Sequence, residues 1–153
     1  IFTDGMKAPE IISSIGAQYL NGTFATAPQA TGQGADLFKA AYEKQFGELP
    51  PKPFIDSAYD ATIIAALAAV KAKRNDAKAI RDAIRDVSNP PGAQILPGEF
   101  AKAKKLLEDG QDIDYVGASG PQNFDKAGDV AGTYAHWEIQ DGKIVTIKVF
   151  EPE

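Results

Sequence analysis

Pro53-Phe54-Ile55-Asp56-Ser57-Ala58-Tyr59-Asp60-Ala61-Thr62-Ile63-Ile64-Ala65-Ala66-Leu67-Ala68-Ala69-Val70 decides how this chain is read, because only here does a continuous apolar run follow a strand-like start. Phe54 and Ile55, behind two prolines, read as a short strand. Ser57 can accept a hydrogen bond from one of the free N–H groups that begin a helix, so a helix is expected from about Ala58. Over residues 61–70 only Thr62 is polar, which predicts a helix with no wide solvent face, buried on most sides. Its alanines permit close approach to a sheet. The run is about half of the ~20 apolar residues that span a bilayer, and Lys71, Lys73 and Arg74 close it. It reads as a core helix, not a membrane span.

Working outward, a chain of 153 residues with 44% hydrophobic content is long and apolar enough for about one folded domain with its own core. Sixteen basic against 21 acidic residues give a net charge of -5, and no lysine or arginine stripe is present to neutralise phosphates, which argues against nucleic acid and anionic membrane as partners. The absence of cysteine removes thiol catalysis, zinc-thiolate sites and disulfides, and leaves the compartment open. The opening Ile1-Phe2-Thr3-Asp4-Gly5 has the look of a strand end running into a turn, with neither an initiator methionine nor a signal peptide. Such a start is expected of a piece of something longer.

Towards the carboxyl terminus from there, Pro9 suits the first turn of a helix over residues 9–19. Asn21-Gly22 breaks it, and Thr23-Phe24-Ala25-Thr26-Ala27 has strand composition that Pro28 ends. Leu37, Phe38, Ala40, Ala41, Tyr42 and Phe46 recur at helical spacing up to Gly47. Beyond the central helix, Asp76 can cap a helix whose apolar stripe is Ala79, Ile80, Ala83, Ile84 and Val87, with Arg81, Asp82, Arg85 and Asp86 as a solvated face. Residues 88–92 read as a loop, and Phe100, Ala103, Leu106 and Leu107 as a short helix stopped by Asp109-Gly110. The remainder is β-like: a short strand at Ile113 and Tyr115-Val116, then a glycine-rich stretch, then residues 133–139 alternating around Trp137 and turning at Asp141-Gly142 into a partner strand. Strands followed by helices, with a terminal hairpin, give an α/β fold class.

Few residues carry chemistry. His136 is the sole histidine and reads as a surface residue of a hairpin strand; without a second histidine or any cysteine, a transition-metal site has little to build on. Gly117-Ala118-Ser119-Gly120 is not a nucleophile elbow, and Gly32-Gln33-Gly34 lacks the third glycine of a dinucleotide fingerprint. Asp125, Gly128 and Asp129 fail the calcium-loop spacing and read as a turn. Catalytic, metal and cofactor assignments are therefore none. Two features stand out: Asp4, where an apparent strand gives way to a helix, the edge at which open α/β sheets bind ligands, and Tyr59-Asp60 in the first turn of the central helix. Asp60 also reads as a helix-dipole partner and Tyr59 as core packing.

Phe2-Thr3-Asp4-Gly5, Gly22-Thr23-Phe24-Ala25-Thr26-Ala27-Pro28, Phe46-Gly47, Ala58-Tyr59-Asp60-Ala61, Gly120 followed by Phe124-Asp125-Lys126-Ala127-Gly128-Asp129, and Trp137-Glu138-Ile139 together resemble the carboxyl-terminal part of the type I periplasmic binding proteins, in particular the branched-chain amino acid receptors of ABC transporters. The resemblance implies helix-covered sheets in two lobes joined by a hinge. It assigns residues 1–27 to the second lobe, 28–112 to the first, and 113–153 to a return into the second. It further implies a non-enzymatic, periplasmic receptor that captures an amino acid or similar small molecule and presents it to a membrane permease. An absent amino-terminal portion would then supply the central strands and most contacts to the ligand's carboxylate. Asp4, with Gly5 beside it, matches the acidic position that receives the ligand's ammonium, a group that needs a charge partner once desolvated. Tyr59 matches a tyrosine near the cleft. The competing readings are a ligand-sensing regulatory domain of the same fold and an enzyme on a doubly wound α/β fold; the ligand's identity is not legible.

Overall fold

A computed structural model describes residues 1–152. Its elements in chain order are a 3-10 turn (Asp4–Met6), α1 (Pro9–Ile15), α2 (Ala17–Leu20), β1 (Phe24–Pro28), α3 (Gln33–Phe46), α4 (Ile55–Ala72), α5 (Ala77–Ser88), β2 (Ala93–Ile95), α6 (Phe100–Glu108), β3 (Ile113–Gly117), β4 (Gly120–Pro121), β5 (Tyr134–Gln140) and β6 (Lys143–Phe150). The α/β class expected from the sequence is what forms.

The strands make two sheets. In one, β5 lies between β1 and β6, antiparallel to both; in the other, β3 pairs with β2 in parallel and with β4 antiparallel. Each sheet anchors its own core. Ala25 and Ala27 of β1 and Trp137 and Ile139 of β5 bury their alternate side chains together with Leu20, as period-two strands with one covered face do. The second core draws Ile64, Leu67 and Ala68 from α4, Ala83 and Val87 from α5, Ala103 and Leu107 from α6, and Ile95, Ile113 and Tyr115 from β2 and β3.

Local chemistry accounts for several element ends. The Asp76 carboxylate accepts from the Ala79 amide at 2.9 Å, capping α5 as its sequence predicts. Asp141 and Gly142 both take positive φ, 49° and 72°, the geometry of a two-residue hairpin that matches strand twist. The Asn21 side chain accepts from the Gly142 amide at 3.1 Å and ties this turn to the end of α2.

Elsewhere the structure corrects the expectation. Phe54 and Ile55 form no strand: Phe54 is left-handed at φ 73° and caps α4, which begins at Ile55. Ser57 thus lies inside the first turn, its amide donating to the Asp56 carboxylate at 2.9 Å, an acid placed where the helix dipole favours it. Tyr59 and Asp60 fall one turn deeper than the sequence suggests. α4 is covered on most sides, as expected, but not on all. Ala58, Ala61, Thr62 and Ala65 form an exposed stripe at helical spacing, because α5 and α6 cover only the opposite side. The helix expected over residues 9–19 breaks into α1 and α2 at Gly16, whose φ is 104°. Residues 1–3 are not a strand, although the Phe2 amide donates to the Phe24 carbonyl at 3.0 Å. Within the solvated face of α5, Asp82 pairs with Lys78 and Arg81, but Arg85 reaches across to the Asp125 carbonyl.

At the amino end of α3, Gly34 is buried against β3, and a Cβ there would collide with the Gly117 carbonyl. Gly34→Ala should therefore destabilise the protein by about 1–3 kcal/mol, the usual cost of forcing extra volume into close packing. Urea unfolding of the full-length protein measures this, with Gly32→Ala unsuitable as a control because of its positive φ, and Gly5→Ala, which meets open space, suitable.

Candidate ligand cleft

A concavity of about 790 Å³ lies between the elements of the two cores. One wall is Lys7, Ile12 and Ser13 with Ile144 and Thr146 of the hairpin; the other is Asp36 and Phe38 of α3 with the segment leading into α4. Its floor is the chain passing from β1 to α3 at Pro28, Gln29 and Ala30, together with Ala118 after β3. The Gln29 amide donates to the Thr133 carbonyl at 2.9 Å, so the outgoing and returning chain segments run side by side. A smaller hollow of about 250 Å³ shares Pro28, Gln29, Ala30 and Asp56 and continues towards Gln122 and Tyr134.

Asp60 fixes the backbone on which this floor rests. Its carboxylate is fully buried and accepts four hydrogen bonds, from the Tyr115 hydroxyl at 2.8 Å, the Ala118 and Ser119 amides each at 2.7 Å, and the Ser119 hydroxyl at 2.6 Å. Gln122 continues the network, donating to the Ser119 hydroxyl at 2.9 Å and the Gly120 carbonyl at 3.0 Å. Burial, and then the charge of Asp60, pushes the Tyr115 hydroxyl above the ordinary phenol range, so it remains a donor. Gly117 passes so near that any Cβ would strike the Asp60 carboxyl group. The dipole role read for Asp60 is thus secondary to a buried clamp between α4 and the β3–β4 turn. Its donors stand 55 to 59 positions away, beyond any spacing rule; a carboxylate immediately before the apolar run of the helix was the available signal.

Of the residues singled out in the sequence, Asp4 is half-buried in the 3-10 turn and its carboxylate accepts from the Gly5 amide at 2.7 Å. Neither residue lines the cleft, whereas Lys7 of the following turn does. Tyr59 packs on Phe38 at 5.0 Å between ring centroids and accepts from the Gly98 amide at 3.1 Å. It borders a separate apolar hollow of about 340 Å³ with Leu37, Tyr42 and Phe46. Asp4 and Tyr59 are not brought to one cavity in the described residues. The Asp125 carboxylate caps its own turn, accepting from the Gly128 and Asp129 amides at 2.8 and 2.9 Å, and these amide bonds hold it below the usual carboxylate range. His136 stands on β5 with its ring edge-on to Phe24. Among the described residues no group of three acids or histidines could hold a metal ion, and no helix is long and apolar enough to cross a membrane.

The chain has relatives among known proteins. The family model for the receptor family ligand binding region matches residues 22–142. The chain belongs to this family, that of the type I periplasmic binding proteins. In structure it is similar to a leucine binding protein, LivK, from Thermotoga maritima, with a TM-score of 0.68 and 24% identity, over 98% of this chain and 36% of that one. It is also similar to the branched-chain amino acid transporter substrate binding protein LivJ from Streptococcus pneumoniae, solved with isoleucine, with a TM-score of 0.65 and 19% identity over the same shares. A curated relative, the chemotactic signal transduction system substrate-binding protein BasB of Halobacterium salinarum, is 31% identical over 97 residues, 63% of this chain and 24% of that protein. The chain thus spans about a third of the solved structures and a quarter of the curated relative.

Proposed function

We propose that this chain forms part of a solute receptor that captures an amino acid or similar small molecule between two lobes, without catalysis, and delivers it to the membrane permease of an ABC transporter. The observation that carries this reading is the cleft itself, walled by elements of both cores and within the roughly 300–1,000 Å³ range of small-molecule sites. Membership of the receptor family supports it, and supports a periplasmic location. The two cores support a division into lobes, residues 1–27 with the carboxyl-terminal hairpin in the second and α3 onward in the first. Because Ile113 and Tyr115 pack in the same core as α4, α5 and α6, the return crossing fits after β4 better than at residue 113. The exposed stripe of α4 is suited to cover by further parts of a longer protein.

In this reading Asp4, with Gly5, meets the ligand's ammonium once the lobes close, and Tyr59 shapes the first-lobe side. The likeness to BasB supports a second reading, in which the loaded receptor reports to a signalling partner. Thermal-shift screening of the full-length protein against amino acids, amides and aromatic acids, followed by calorimetry, tests the receptor function. At least one compound should bind with micromolar or better affinity, about 8 kcal/mol or more; a panel without any binder would remove the reading.

A further inference from the structure

The walls of the cleft carry more positive than negative charge. Lys7, Lys39, Lys52 and Lys143 face it, against Asp36 and Asp56. Two of these lysines are engaged elsewhere: Lys52 pairs with Glu10 at 2.7 Å and Lys39 lies 3.9 Å from Glu43, neither glutamate lining the cleft. Asp56 is partly engaged as well, accepting from the Ser57 amide. Lys7 differs from all of them. It is the half-buried lysine of the wall, and among the described residues no carboxylate lies within 4.0 Å of it and no acceptor is hydrogen-bonded to it. Burial lowers the pKa of its ammonium, the direction expected of a cation losing water without gaining a partner. An ammonium so placed is most stable when an anion enters.

We propose that the ligand of this cleft is a small dicarboxylic acid, with or without an amino group, and that the Lys7 ammonium receives its additional carboxylate. The proposal rests on the reading of the cleft as the ligand site. It sets this chain apart from the solved relatives whose names specify leucine and branched-chain amino acids, since an aliphatic side chain would leave Lys7 desolvated and unanswered.

The experiment is calorimetric titration of the full-length protein with glutamate, succinate and leucine, for wild type, Lys7→Met, Lys7→Arg and a cleft-blocking Ala30→Trp. Glutamate or succinate should bind about tenfold or more tighter than leucine, and Lys7→Met should shrink that ratio by about tenfold, with partial recovery in Lys7→Arg. A merely structural role for Lys7 would not move the ratio between ligands, so an unchanged ratio overturns the assignment. Leucine binding tighter than both acids, and lost in Ala30→Trp, overturns the proposal while leaving the cleft as the site. Binding of none of the three probes removes the proposal too, and binding that survives Ala30→Trp removes the cleft reading on which it rests.

Discussion

Asp60→Ala should lower the unfolding free energy of the full-length protein by about 3–5 kcal/mol, a large share of the roughly 5–15 kcal/mol that holds a typical domain folded. The substitution removes a carboxylate that is 1% exposed and leaves the buried Tyr115 hydroxyl and Ala118 amide, and the part-buried Ser119 amide, without their acceptor. Each buried donor left unpaired costs about 1–3 kcal/mol, and hydrogen bonds to a charged group lie at the upper end. Asp60→Asn keeps the shape but points an N–H₂ at donors, so it should recover only part of the loss. Ser119→Ala deletes one of the four bonds while retaining its amide, and should cost about 1 kcal/mol. Denaturant unfolding of the three variants checks the order. A loss below that of Ser119→Ala would show that Asp60 is no clamp.

The second large effect is expected on affinity. If the ligand is an amino acid, Asp4→Ala should weaken its binding by roughly 2–5 kcal/mol, tens to thousands of fold, because it strands one partner of a desolvated charge pair. Asp4→Asn should do nearly as much harm, since it preserves volume and hydrogen-bonding oxygen but not charge. Only the Gly5 amide engages this carboxylate among the described residues, so ligand-free melting temperatures should scarcely change. Calorimetry of both variants in the full-length protein decides it: unchanged affinity in Asp4→Asn would dismiss the ammonium role, and a marked fall in ligand-free stability would make Asp4 a turn-former instead.

What the sequence discloses here is mostly what short stretches settle by themselves. Asp141-Gly142 and Asp76 were readable because a two-residue hairpin and a helix cap depend on neighbours two or three positions away. The start of α4 was misread because prolines and two bulky apolar residues look extended, while the left-handed Phe54 that actually opens the helix leaves no compositional trace. β2 escaped notice altogether. Its three residues do not alternate and are ordered by parallel pairing with Ile113, Asp114 and Tyr115, about twenty positions on. The site divides in the same way. Asp4 and Tyr59 were picked out by their place in the expected elements and, with Gly5, by motif likeness, whereas Lys7, the floor at Gln29 and Ala30, and the four-bond role of Asp60 depend on which distant segments are brought together.

The contact between Gly117 and Asp60 also limits how this sequence can drift. A side chain at 117 must displace the carboxyl group, and the vacated carboxylate would strand its donors, so no single substitution at 117 is neutral while Asp60 stays. Losing Asp60 first opens room at 117, but only by passing through a variant without the clamp. The two positions, 57 apart along the chain, are therefore expected to tolerate change only together.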